Sequence, residues 1–255
     1  LLALLTLVMI NSSIGYMGEL KRFVVVMVLS LMCSFLPMNF IVFVAAAVTL
    51  GHLYKFSLEC MGVALVVFLL LFILYFRFSP RDTIAVLLTP LCFILKIPYV
   101  MPIAMGLVGT PVSAVSVASG AVAYYTVNYM TNSASMLNTF EDDETLEKFR
   151  YVVDGLLGNK AMFITIVAFV ATVVVVYFIR RLSVDYSWTI AMITGALLDV
   201  LILLFGDLMY NTKFSIVGVI VGSVVSVLLV KVLEFFVSYR DARTTWRIVS
   251  STTAA

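Results

Sequence analysis

Four stretches of the chain are apolar almost without interruption: residues 61–76, 161–178, 188–205 and 214–236. At about 1.5 Å per residue each is long enough, or nearly so, to cross roughly 30 Å of hydrocarbon, so each predicts a membrane-spanning helix. Their ends carry Tyr75, Tyr177, Tyr186, Trp188, Tyr210 and the Arg180-Arg181 pair. These are the amphipathic rings and snorkelling cations expected at lipid headgroups.

The other apolar stretches are irregular. Residues 23–36 and 39–50 are short and separated by Pro37-Met38-Asn39. The stretch 82–97 is short too and contains Pro90; Pro98, Pro102, Gly106, Gly109 and Pro111 then punctuate the chain as far as residue 111. Proline removes a backbone donor and clashes with the carbonyl four residues back, so this pattern predicts broken helices. Two readings stay open. Proline is simply more frequent in membrane helices than in soluble ones; alternatively, discontinuous helices form the wall of a wet cavity, as they do in transporters. Residues 1–15 lack a basic leader and a small-residue cleavage site, so they read as the end of a helix and not as a signal peptide.

Between the spans lies one polar segment with a helical period. Residues 141–154 begin with Glu141, Asp142, Asp143 and Glu144 and end with cations, an order that suits the helix dipole, and Glu144 and Lys148 are spaced as an i,i+4 pair. Leu146, Phe149, Val153 and Leu157 recur at threes and fours, predicting an amphipathic surface helix with one apolar stripe. The spacing of a calcium-binding loop is absent.

Composition fixes the solvent. The chain is 63% apolar and 12% charged, with a mean hydropathy of +1.15. A soluble domain is closer to half apolar and a quarter charged. The fold class expected is all-α: a polytopic transmembrane helix bundle of about eight to ten membrane segments, several short or proline-broken, with one extramembrane amphipathic helix. Its organisation reads as N-terminal membrane helices over 1–130, an extramembrane loop over 131–160, a three-helix membrane unit over 161–237 and a polar tail over 238–255. A net charge of +2 gives no case for nucleic acid. Cys33, Cys60 and Cys92 are widely spaced in apolar sequence and read as buried, inert thiols. Over the last three spans, Arg180, Arg181, Lys231, Arg240, Arg243 and Arg247 fall on one side, against Lys148, Arg150, Lys160 and Lys213 on the other. That excess favours a cytoplasmic C-terminus.

Asp199 is the exception to charge-free spans. It sits near the middle of 188–205, on one face with Gly195 and Gly206. A carboxyl at that depth faces the bundle interior, where it is either a proton or cation site or packing glue between helices. Phe205-Gly206-Asp207 resembles the Gly-Asp element of intramembrane aspartic proteases, but Asp199 and Asp207 are about 12 Å apart along one helix, too far to share a proton. His52 stands alone, so no two-histidine metal site or histidine-paired nucleophile stands out. Without a nucleotide-binding motif or catalytic constellation, neither an enzyme nor a cofactor or metal is expected. Small residues recur at helical spacing as Gly218, Gly222 and Ser226, and as Ser113, Ser116, Gly120 and Ala123. They mark close helix packing or an oligomer seam. The hydroxyls of Thr110, Ser113, Ser116 and Ser119 are also readable as a polar pathway. Lys231 and Glu234 are spaced to pair.

Val153-Asp154-Gly155-Leu156-Leu157-Gly158-Asn159-Lys160, Thr194-Gly195-Ala196-Leu197-Leu198-Asp199 and the Gly218, Gly222 helix carry a resemblance. The run 151–237 resembles a family of bacterial multi-pass, permease-like inner-membrane proteins with no assigned reaction. The resemblance implies a bacterial cytoplasmic membrane and supplies no substrate; the tail from Ser238 does not share it. The function expected is a membrane transport component: a secondary transporter, channel or permease subunit, with Asp199 as its proton or cation site. The alternative is a non-transporting scaffold for envelope assembly or secretion. The partners expected are the lipid bilayer, a second copy or other membrane subunits, and a protein docked at 141–154.

Overall fold

The computed structural model describes residues 1–133, 145–212 and 215–252, the side chains of 145 and 237–252 excepted. Their regular structure is entirely helical: α1 (Leu2–Ser13), α2 (Phe23–Phe35), α3 (Met38–Phe56), α4 (Leu58–Phe78), α5 (Thr83–Ile94), α6 (Val100–Val108), α7 (Ser113–Asn132), α8 (Thr145–Leu157), α9 (Lys160–Arg180), α10 (Ser187–Tyr210) and α11 (Ile216–Thr252).

Among the described residues, five segments are long and apolar enough to cross a bilayer: α3, α4, the run Leu146–Arg180 that contains α9, α10, and α11 as far as Phe236. Their apolar side chains point outward as well as inward. On α10, Ile193, Leu197, Leu201, Phe205 and Leu208 are exposed in one row. The opposite face of that helix buries Met192, Gly195, Ala196, Asp199 and Leu203. Exposed apolar rows of this length have no place in water and match lipid. The chain is a multi-pass helical membrane protein.

Contacts between helix ends thread the bundle. His52, near the end of α3, bonds to Asn11, near the end of α1. Tyr75, near the end of α4, bonds to Asn39 at the start of α3 and Thr83 at the start of α5. Ser116 of α7 donates to the Ser79 carbonyl, Arg180 at the end of α9 donates to the Gly109 carbonyl, and Tyr125 of α7 bonds to Thr165 of α9. Successive helices are therefore antiparallel, with α8 lying on the face that holds the α1–α2, α3–α4 and α5–α6 turns.

Threading the whole chain also redistributes its charges. Lys21, Arg22, Lys55 and Lys96 join the α8 face, against Arg77 and Arg81 on the other. The cationic excess that favoured a cytoplasmic C-terminus in the last three spans is not kept over the full bundle.

Three expectations about the elements change. The stretch read as 39–50 runs on to Phe56, because Gly51 and His52 pack inside the helix instead of ending it. His52 is fully buried, accepting from the Met17 backbone N–H at Nδ1 and pairing with Asn11 at Nε2. It pins the α1–α2 turn onto α3. The backbone of α11 stays helical past 237 to Thr252, about 55 Å in all. The apolar stripe of α8 lies one position from the expected one. Val152 and Leu156 are buried against Leu53, Cys60, Ala64, Met130 and Met162, while Leu146 and Leu157 are exposed. Glu141, Asp142, Asp143 and Glu144 lie outside the described residues; within α8, Arg150 and Asp154 form an exposed i,i+4 pair. Cys33, Cys60 and Cys92 are free and buried.

Candidate functional site

The interior of the bundle is built around a hairpin of two short helices. α5 has 12 residues and α6 has 9, giving about 18 and 14 Å, each too short to cross the hydrocarbon alone. The breaks fall at 95–99 and 109–112, not at Pro90 or Pro102. Pro90 lies inside α5, and the helix continues through it to Ile94. The Val86 carbonyl, which Pro90 cannot satisfy, faces α7 at Gly120, where an added Cβ would lie 2.9 Å from it. Pro102 sits in the first turn of α6, where no intrahelical donor is needed.

The tip of the hairpin is a closed helix end. The Ile97 N–H donates to the Cys92 carbonyl at 2.9 Å and the Lys96 N–H to the Phe93 carbonyl at 3.0 Å. This cap needs a left-handed residue, usually glycine, yet Lys96 fills it at φ 61°. Pro98 then bars continuation and Tyr99 opens α6. At the other end of α6, Gly109 gives its carbonyl to Arg180. Two glycines let the hairpin close on α9 and α10. Gly106 of α6 and Gly195 of α10 both meet Val176 of α9, and a Cβ on either would collide with it.

One turn beyond Gly195, Asp199 is fully buried about halfway along α10. Thr172 of α9 is the polar side chain that faces it, and Tyr99 at the hairpin tip lies within electrostatic reach. Yet no hydrogen bond of normal geometry joins either carboxyl oxygen or the Thr172 hydroxyl to any group among the described residues. No cation stands beside the carboxyl among the described residues, so its burial is compatible with the neutral acid or with a cation brought to it.

Two cavities flank the hairpin tip. The larger, about 450 Å³, lies between α1, α3 and α4 on one side and α5 and α7 on the other. The smaller, about 310 Å³, lies among α5, α7, α9, α10 and α11. Phe93, Lys96, Tyr124 and Asn128 belong to both walls. Asp199 is in neither wall; Tyr99 and Leu203, which is one turn past Asp199, stand in the wall of the smaller one. The carboxyl thus lies one helical turn from a residue of that wall.

The residues singled out in the sequence divide accordingly. Gly195 stands beside Asp199 at the α6–α9–α10 junction. Gly222 approaches Tyr99 closely, Ser226 is buried and donates to the Gly222 carbonyl, and Gly218 packs against no other helix. Ser113 accepts from the Thr110 N–H and closes the α6–α7 turn, Ser116 joins α7 to the α4–α5 turn, and Gly120 brings α7 against α5. Ser119 bonds to its own helix at the Val115 carbonyl. Ser119 also stands in the wall of the larger cavity. Lys231 pairs with Glu234 at 2.7 Å and reaches Thr189, tying α11 to α10. Lys96, Tyr99, Tyr124, Asn128 and Thr172 were not singled out in the sequence, since each is ordinary in a membrane helix or at its end. No group of three or more potential metal ligands occurs among the described residues. Comparison of the chain with protein-family models, curated proteins and solved structures gives no match.

Proposed function

We propose that the protein is a membrane transport component, not an enzyme, in which Asp199 takes up and releases a proton as the α5–α6 hairpin shifts against α9 and α10. One observation carries this reading: a carboxyl at mid-depth, fully buried and without a hydrogen-bond partner among the described residues, one helical turn from a residue of a cavity wall. Intramembrane carboxyls are rare and usually paired, and an unpaired one fits a site that exchanges its proton. Short helices joined at a tight turn supply a movable element, as in transporters with discontinuous helices. A secondary transporter, a channel and a permease subunit all fit, and the resemblance to permease-like proteins supports a bacterial cytoplasmic membrane. The scaffold alternative engages partners through the acidic helix at 141–154 and the small-residue faces, and the apolar face of that helix is not free for them. Val152 and Leu156 of that face are already engaged by α3, α4, α7 and α9.

The test is proton flux into vesicles loaded with a pH-sensitive dye, driven by a potassium-diffusion potential. The reconstituted protein passes protons, and Asp199→Asn lowers that flux at least tenfold while remaining monodisperse. Equal flux from the two proteins removes Asp199 from the mechanism.

A further inference from the structure

The larger cavity and the hairpin tip together have the chemistry of a lipid-binding site. The cavity follows α7 from Ser119 to Thr131, about 18 Å, and its depth is walled mainly by Val42, Ala45, Phe68, Phe72, Leu87 and Leu91. Its volume of about 450 Å³ lies within the range of small-molecule pockets. Toward the α8 face the wall turns polar, with Lys96, Tyr124 and Asn128.

Those three side chains share a property. The Lys96 ammonium, the Tyr124 hydroxyl and the Asn128 amide have no hydrogen-bond or ion-pair partner among the described residues. Lys96 is the one charged residue in either cavity wall among the described residues. They are brought together by the parallel packing of α5 and α7, in which Phe93 stacks on Tyr124 with ring centres 4.5 Å apart. Three groups able to donate and one positive charge, with no carboxylate in the walls of either cavity, match a singly charged anion. The left-handed backbone at Lys96 supports the assignment. A lysine holds a position that favours glycine, and retained strain of this kind concentrates at ligand clamps.

We propose that the cavity binds an anionic amphiphile, with its acyl chain between α1, α3, α4, α5 and α7 and its carboxylate or phosphate head on Lys96, Tyr124 and Asn128. The site stands on the cavity and the donor cluster, and does not rest on proton uptake at Asp199; binding and proton flux are read separately.

The experiment uses the full chain in nanodiscs of phosphatidylcholine, titrated with the fluorescent fatty acid cis-parinaric acid and with its uncharged methyl ester. Saturable binding of the acid is expected. Lys96→Gln, on an exposed turn, weakens it at least tenfold and leaves the ester unchanged, whereas Lys96→Arg stays within threefold of the parent. Ala123→Phe, which fills the cavity from α7, removes binding of both probes, and Ala46→Phe does the same from α3. Displacement by oleate at lower concentration than by oleoyl-lysophosphatidate assigns the head as carboxylate, and the reverse order assigns it as phosphate. Unsaturable uptake of the acid, equal affinity in Lys96→Gln, full binding by both cavity-filling variants, or displacement by neither lipid overturns the proposal.

Discussion

Replacing Asp199 by leucine should make the protein more stable, and the sign of that change tests whether the carboxyl is unpartnered. Leucine branches at the same carbon as aspartate, so two methyl groups take the places of the two carboxyl oxygens. Neither oxygen has a hydrogen-bond partner among the described residues, and a buried polar group left unsatisfied costs about 1–3 kcal/mol. Against that gain stands the bulk of the methyls beside Thr172, and overpacking of a tight core costs about 1–3 kcal/mol. Counting both ends of a neutral carboxyl as unsatisfied, the balance favours leucine by about 2 kcal/mol. A carboxyl acting as interhelical glue gives the opposite sign, a loss of about 0.6–2 kcal/mol. The assay is unfolding by sodium dodecyl sulfate titrated into mild detergent, followed by far-ultraviolet circular dichroism. A variant no more stable than the parent refutes the unpartnered carboxyl. A more stable variant that also fails to pass protons shows stability given up at a working site.

Much of the architecture was legible because lipid imposes simple rules. Unbroken apolar runs gave α4, α9, α10 and the membrane part of α11 to within a few residues at most ends. The rules failed where tertiary contacts override local signals. Gly51 and His52 looked like the end of a helix, but Asn11 and the Met17 N–H satisfy the imidazole inside the bundle, so α3 continues. Pro90 looked like a break, but Gly120 brings α7 close enough to cover the carbonyl that proline strands. The stripe on α8 was displaced by one because its period fits Val152 and Leu156 as well as the expected set, and only α4 and α7 decide which face is inside.

The site was legible in proportion to how far a residue departs from what lipid tolerates. Asp199 departs strongly and announced itself. Thr172 and Tyr99 do not, since a threonine or tyrosine in a membrane helix is routine, and only the fold puts them beside the carboxyl. Lys96 read as a cation at the end of an apolar stretch. Its significance lies in a backbone angle and in the absence of a partner among the described residues, and neither is written in composition. One signal was available: a helix ending just ahead of Pro98 without glycine or asparagine at its cap.

Gly195→Ala should destabilise the bundle by about 1–3 kcal/mol in the same unfolding assay, because the new Cβ collides with Val176. Val176 is also met by Gly106 from the other side and cannot retreat, so adding Val176→Ala should recover stability non-additively; simple additivity of the two changes refutes the three-helix junction. Lys96→Gly sets stability against binding. The left-handed conformation costs an ordinary L-residue about 1–2 kcal/mol, and glycine's greater freedom when unfolded returns about 0.5–1 of it, leaving a net gain of roughly 0.5–1 kcal/mol. The same substitution removes the one positive charge of the donor cluster, so cis-parinaric acid binding should fall as far as in Lys96→Gln. A loss of stability in Lys96→Gly would mean that the ammonium holds the fold and would take away the reason for reading its strain as a ligand clamp. A gain of stability joined to a loss of binding is the pair of outcomes that a strained residue kept for its ligand must give.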